Sequence, residues 1–297
     1  MTENLIINKS NTQVQILSFP LFKIIIGIVL VNVPTFIMRN ITQSILSALS
    51  IRHEVVTSLV IFIVRFLTVY IAYTLFVKFF EKRKADELSP DRSSWKAFFH
   101  GGLMAAATIT AVAGFLWLTG AYTIQGIHTS APVFQSMLYH LFFVFLQDVV
   151  YFLIIFRIVE NRFGSWTALV IAAIIFGFKH LLFPGYTIWS VVAQTFEAGI
   201  LFSALFILTR HIWMILGFHF IWNFIEYGLI SGFEAEGLTG LFLSEFKGSA
   251  LITGMPVGLE ASIVTCILVT GLGLYFVHKA YTQGSFILPC WKRSMHE

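Results

Sequence analysis

Gln147 and Asp148 stand side by side in LQDVVYFLIIFR, Lys179 and His180 close another apolar run, and His219 and Asn223 share the segment HFIWN. The i,i+4 spacing of the last pair puts both on one helix face, where an amide can orient an imidazole. Two histidines with a carboxamide or carboxylate on a third helix support two chemistries. In one, a base activates water while imidazole and amide groups stabilise the oxyanion of a tetrahedral intermediate. In the other, His180, His219 and Asp148 ligate a divalent metal that keeps positions open for water. A third reading involves no reaction, because His, Asn and Gln also bond helices to one another inside membranes.

These residues need elements to hold them, and composition says which. The chain has 297 residues, 57% apolar, 16% aromatic and 11% charged, whereas soluble domains carry about one-quarter charged residues. Runs of about 20 apolar residues cross the hydrocarbon core as helices, since no other open structure satisfies its own backbone there. Such runs are expected at 16–38, 56–80, 97–118, 133–159, 165–183, 187–208, 211–232 and 257–278. The fold class is therefore all-α, a polytopic bundle of about eight spans. The first run has a polar leader and no small-residue cleavage site, so it is expected to be a retained span. EKRKADELSPDRSSWK, 81–96, has the composition of a solvated loop.

Lys and Arg collect on the cytoplasmic side of membrane proteins. Placing 81–96 inside also places Lys9, Arg157, Arg162, Arg210, Lys279, Lys292 and Arg293 inside and leaves Arg39, Arg52 and Lys247 outside. Both termini are then expected in the cytoplasm. The net charge of +4 follows from this bias and gives no argument for nucleic acid; the bilayer is the expected partner. Cys266 and Cys290 lack metal-ligand spacing and are expected as free thiols. Four further polar residues complete the buried set. Glu197 and Glu260 lie near glycines that permit close helix approach, Glu226 is expected near a helix end facing water, and His140 near the outer boundary.

ENRFGSWTALVIAAIIFGFKHL and TFEAGILFSALFILTRHIWMILGFHFIWNF resemble the CAAX-protease and bacteriocin-processing family of intramembrane endopeptidases. The family pattern F-x-x-x-H is matched by Phe176 and His180, and H-x-x-x-N by His219 and Asn223. The pattern T-R-x-x-W-x-x-x-G-x-H falls on Thr209, Arg210, Trp213, Gly217 and His219. SSWKAFFHGGLMAA and GLTGLFLSEFKGSALITGMPVGLEAS are similar to flanking parts of a bacterial branch. The resemblance covers about 93–278, so that 1–92 is a preceding region with two spans and a basic loop, and 279–297 a short basic tail.

The family's E-E-x-x-x-R pattern falls on Gln147, Asp148 and Phe152. The resemblance implies that a glutamate at the first position activates water while the histidines and the asparagine position it or stabilise the oxyanion. Gln147 cannot accept that proton. Asp148 points about 100° away along a regular helix and would replace it only where the helix rotates or unwinds. A structural pair of Asp148 with Lys179 is the favoured expectation.

The implied catalytic set is Gln147, Asp148, His180, His219 and Asn223. No cofactor is required, with a divalent metal on His180, His219 and Asp148 as the variant. The implied activity is hydrolysis of peptides or membrane proteins near the cytoplasmic face of a bacterial cell membrane. Two alternatives stand beside it: a pseudoprotease that binds a peptide or client protein without cutting, and a transporter, which the absence of inverted repeats disfavours.

Overall fold

The computed structural model describes residues 19–230 and 240–293; Lys9, one of the residues that orient the chain, lies outside them. Among the described residues eight helices are long and apolar enough to cross a membrane. They are α1 (Pro20–Ala48), α2 (Glu54–Glu81), α3 (Arg92–Leu118), α4 (Val133–Phe163), α5 (Ser165–Leu182), α6 (Ile188–Thr209), α7 (Trp213–Ile230) and α8 (Ile263–Thr282). The eight expected runs thus correspond one to one. The largest differences are at α1, which runs ten residues beyond the expected end, and at α8, which starts at Ile263 behind an N-cap by Ser262.

The bundle is built around α4. In its most apolar window 72% of residues are buried, against 6% for α2. The outward faces of α1, α2, α3 and α8 carry exposed Leu, Ile and Phe such as Phe36, Ile71, Leu103 and Ile267, the composition of a lipid-facing surface. Phe152 of α4, Phe176 of α5 and Phe202 of α6 form an aromatic core with ring centroids 5.8–6.0 Å apart. Phe152, expected at the arginine position of the pattern the sequence resembles, packs as a fully buried ring.

No strand is expected from the sequence. The described residues nevertheless include a small antiparallel sheet, β1 (Tyr122–Ile127) with β2 (Phe242–Phe246), pairing Tyr122 with Phe246 and Ile127 with Phe242. It ties the connection after α3 to the one after α7. Cys266 and Cys290 are free thiols, as expected.

At the opposite end, the 81–96 connection is less solvated than its composition suggests. Glu87 is 6% exposed and receives Arg83 Nη2 at 2.6 Å and Nη1 at 2.8 Å, with Arg157 Nε at 3.5 Å. Tyr73 donates to the same carboxylate, Arg157 pairs with Glu81, and Ile212 N donates to Glu87 O at 3.2 Å. Beside this cluster Arg210 pairs with Glu160 at 2.7 Å. The expected basic ends of α2, α4 and α6 therefore meet on one side of the bundle, where ion pairs replace water around them.

Burial alone would push the Glu87 carboxyl up; the Arg83 hydrogen bonds and the Arg157 charge outweigh it and hold it below the usual range. A carboxylate lowered in this way stabilises the fold at neutral pH, and the contribution fades as pH falls through the folded value. Glu87→Gln should lower stability by about 3 kcal/mol at pH 7, read by thermal unfolding in detergent. The gap between variant and parent should narrow on acidification below about pH 4. A gap that stays constant with pH would show that the charge of Glu87 is not what stabilises the fold.

Candidate active site

Four helices bring the polar residues together, and each is irregular where it does so. In α4, Val149–Phe156 is π-helical and begins directly after Asp148. In α5 the last turn, Lys179–Leu182, is a 3₁₀ helix containing His180. In α6 the π-helical turn Thr195–Gly199 contains Glu197, and in α7 Phe224–Ile230 is π-helical directly after Asn223. A π turn inserts a residue into the α-helical repeat and re-aims the side chains that flank it.

The result is a cavity of about 400 Å³, lined among others by Gln147, His180, Glu197, His219, Asn223 and Glu260. Phe183, Tyr186, Pro256 and Val257 line it between spans. These connections follow α5 and precede α8, so they lie at the end of the bundle away from Arg157 and Arg210. The irregular turns thus place the polar groups in the half of the bundle away from the basic ends.

Asp148 does not line the cavity. It is fully buried behind His219, with Oδ1 at 2.8 Å from His219 Nδ1. The favoured pairing with Lys179 is thus not the one formed, because the start of the π-helical segment leaves Asp148 facing α7. With Nδ1 engaged, Nε2 is the nitrogen His219 has left for the cavity. The His219 ring rests against Phe202 at 5.0 Å and Phe176 at 5.9 Å, which fixes its plane.

Lys179 donates instead to Gln147 Oε1, and its ammonium lies 3.8 Å from the centre of the Phe176 ring. An ammonium only donates, so Gln147 must give it the carbonyl oxygen and has its NH2 group free to donate. His180 stacks on Tyr186 at 5.2 Å, with Nδ1 3.3 Å from Gly177 O. Asn223 is 7% exposed on the same helix face as His219, as their spacing predicts.

Three expectations about individual residues fail. Glu226 does not face water: it is fully buried, accepts from Trp222 Nε1 at 2.7 Å and from Glu260 N at 3.2 Å, and the π turn is what directs it inward. Glu260 is not in a span but in the short turn before α8, where Gly258, with φ 148°, lets the backbone pass against Glu226. His140 is not at a boundary: it is 5% exposed, stacks on Tyr227 at 5.7 Å and donates from Nδ1 to Ser136 O at 2.8 Å, its ring being part of the cavity wall.

Sequence reasoning missed two tyrosines. Tyr186 donates to Glu260, and burial followed by the charge of Glu260 raises its hydroxyl above the ordinary value, so it remains a neutral donor. Burial likewise pushes the Glu260 carboxyl up. Tyr227 also lines the cavity; it continues the i,i+4 line of His219 and Asn223, a signal the sequence contains. Tyr186 has no such signal, since it lies in a connection.

Among the described residues no group of three or more His, Cys, Asp or Glu side chains is placed to hold a metal ion. His219 Nδ1 and Asp148 Oδ1, two of the atoms such a site would use, are bonded to each other.

No curated protein and no solved structure matches the chain. A family model described as "Type II CAAX prenyl endopeptidase Rce1-like" matches residues 129–225, less than half of the chain but including Gln147, Asp148, His180, His219 and Asn223. The matched segment, which supplies most of the cavity lining, is thus similar to that family.

Proposed function

We propose that the chain hydrolyses peptide bonds of membrane-associated proteins or peptides, with His219 in place of the missing glutamate as the base that activates water. The observation that carries this reading is the 2.8 Å contact between Asp148 Oδ1 and His219 Nδ1. It sets the tautomer with the proton on Nδ1 and leaves Nε2 as a proton acceptor.

Water attacks the carbonyl carbon as its proton passes to Nε2. The new C–O bond makes a tetrahedral oxyanion, and the NH2 groups of Gln147 and Asn223 are the donors for it. His180, on the same wall, has Nδ1 toward Gly177 O, so its Nε2 is an acceptor that positions the water rather than a donor to the oxyanion. The imidazolium of His219 then gives its proton to the leaving nitrogen as the C–N bond breaks, which returns the site to its starting state. Asp148 touches neither water nor substrate; it is a positioning residue that stabilises the imidazolium while it exists. No step is assigned to a metal, and none requires a prenyl group on the substrate. With both termini in the cytoplasm, the cavity belongs to the outer half of a cell membrane.

The test is a census of protein termini in membranes of cells that lack the chain, complemented with the parent sequence or with His219→Ala at matched expression. New termini are expected with the parent alone, and they identify the substrates. Identical termini in both strains, with both proteins folded, would sink the hydrolytic reading and leave the cavity as a binding site for peptide or client protein.

A further inference from the structure

Hydrolysis by His219 leaves Glu197 without a task. Its side chain is 3% exposed and forms part of the cavity wall, yet Oε1 has no hydrogen-bond partner among the described residues. The Cys266 thiol of α8 lies close to the carboxyl, but a thiol is a weak donor. A buried carboxyl oxygen without a donor is costly, and more so where the surroundings are as apolar as a membrane interior.

The balance of charge points the same way. Asp148, Glu197, Glu226 and Glu260 are all buried in or behind the cavity, and the nearby ammonium of Lys179 is engaged by Gln147. Among the described residues no Lys or Arg lines the cavity. Asp148 has His219, Glu226 has Trp222, and Glu260 has Tyr186; Glu197 alone of the four has no strong donor. Tyrosine and phenylalanine rings make up much of the remaining wall, and aromatic faces favour a cation over an anion or a neutral polar group.

We propose that Glu197 forms a subsite for one cationic side chain, an ammonium or guanidinium, of the peptide that occupies the cavity. The proposal rests on the peptide-cleaving reading only in taking the ligand to be a peptide. A lysine or arginine near the scissile bond would then be selected over an apolar residue of the same length. Such a residue gives up most of its hydration on entering, so the carboxylate and the rings must replace it, and a neutral isostere gains nothing from Glu197.

The test uses the full chain in phosphatidylcholine nanodiscs and two dye-labelled apolar pentapeptides that differ only in a central lysine or norleucine. Affinity is read by anisotropy, with partition into empty nanodiscs subtracted. The lysine peptide should bind about tenfold or more tightly than the norleucine peptide. Glu197→Gln should remove most of that ratio and leave the affinity for norleucine within about twofold, as expected for a loss confined to the charge. Glu197→Asp, which keeps the charge, should retain a reduced preference and serves if the glutamine variant does not fold.

Equal affinities in the parent, or a preference that survives Glu197→Gln, would overturn the proposal; in the second case the cation is held elsewhere. Repeating the titration in His219→Ala removes cleavage from the readout. Failure of the hydrolytic reading shows in the termini census, whereas failure of this inference shows in the binding ratio.

Discussion

Asp148→Asn is expected to lower kcat for a peptide identified by its terminus on the order of 10³- to 10⁴-fold, with KM little changed. The reason is the tautomer. An asparagine can turn its NH2 toward Nδ1 of His219, which moves the proton to Nε2 and removes the acceptor that water needs. Even when its oxygen faces Nδ1, it has no charge to stabilise the imidazolium. Substrate binding is not touched, because Asp148 lies behind His219 and away from the cavity wall.

A purely structural Asp148 would behave differently. Its loss would lower the folded fraction and leave kcat per folded molecule intact. Asp148→Glu supplies the second readout, since a carboxylate one methylene longer should recover part of the rate if charge and acceptance at Nδ1 are what matter. Unchanged kcat in Asp148→Asn would remove His219 from the role of base. Gln147 would then be the next residue to change, to glutamate, to ask whether a carboxylate at the family's position cuts better.

Gly217→Val should prevent the formation of folded protein or destabilise it by about 3 kcal/mol or more. Helices α3 and α7 meet backbone to backbone: a Cβ on Gly217 would fall on the carbonyl oxygen of Phe98, and one on Gly101 would fall on that of Met214. Neither obstacle is a flexible side chain, so the helices would have to part. Close approach of this kind gives membrane helices much of their association, through dispersion and Cα–H···O contacts. Gly217 is two residues before His219 and six before Asn223, so parting the helices also displaces the site.

The control is Gly114→Val in α3, where an added Cβ meets nothing within 4 Å; its effect should stay within about 0.5 kcal/mol. The two variants are compared by the monodisperse yield after solubilisation and by the thermal midpoint. Equal yields and midpoints would show that the contact is not needed. An active Gly217→Val with a normal midpoint would reject the argument altogether.

The eight spans were legible because the bilayer leaves an apolar run of that length one way to satisfy its backbone. The face shared by His219 and Asn223 was legible because it needs only the local period of an α-helix. The aromatic partners of Phe152 on α5 and α6 were not legible, because they come from separate helices. The sheet of β1 and β2 was missed because it pairs two short segments about 120 residues apart, and neither has enough alternating pattern to announce itself.

Two of the misplaced residues share one cause: Asp148 with Lys179 and Glu226 toward water presuppose regular helices, and the chain departs from regularity there. His140 lies in a regular α-helical stretch, and its place in the wall is set by packing against Tyr227 of α7. The π-helical segments after Asp148 and Asn223 and around Glu197 rotate the facing of the neighbouring side chains, and hydropathy does not register them.

The sequence by itself determined the membrane class, the number of helices and which polar residues had to be sheltered, because these depend on composition and local period. Only the tertiary structure decided that Asp148 backs His219, that Lys179 engages Gln147 and that Glu197 faces the cavity with one oxygen unpaired. Those pairings join separate helices across irregular turns, and a turn is held in that form by the side chains packed against it.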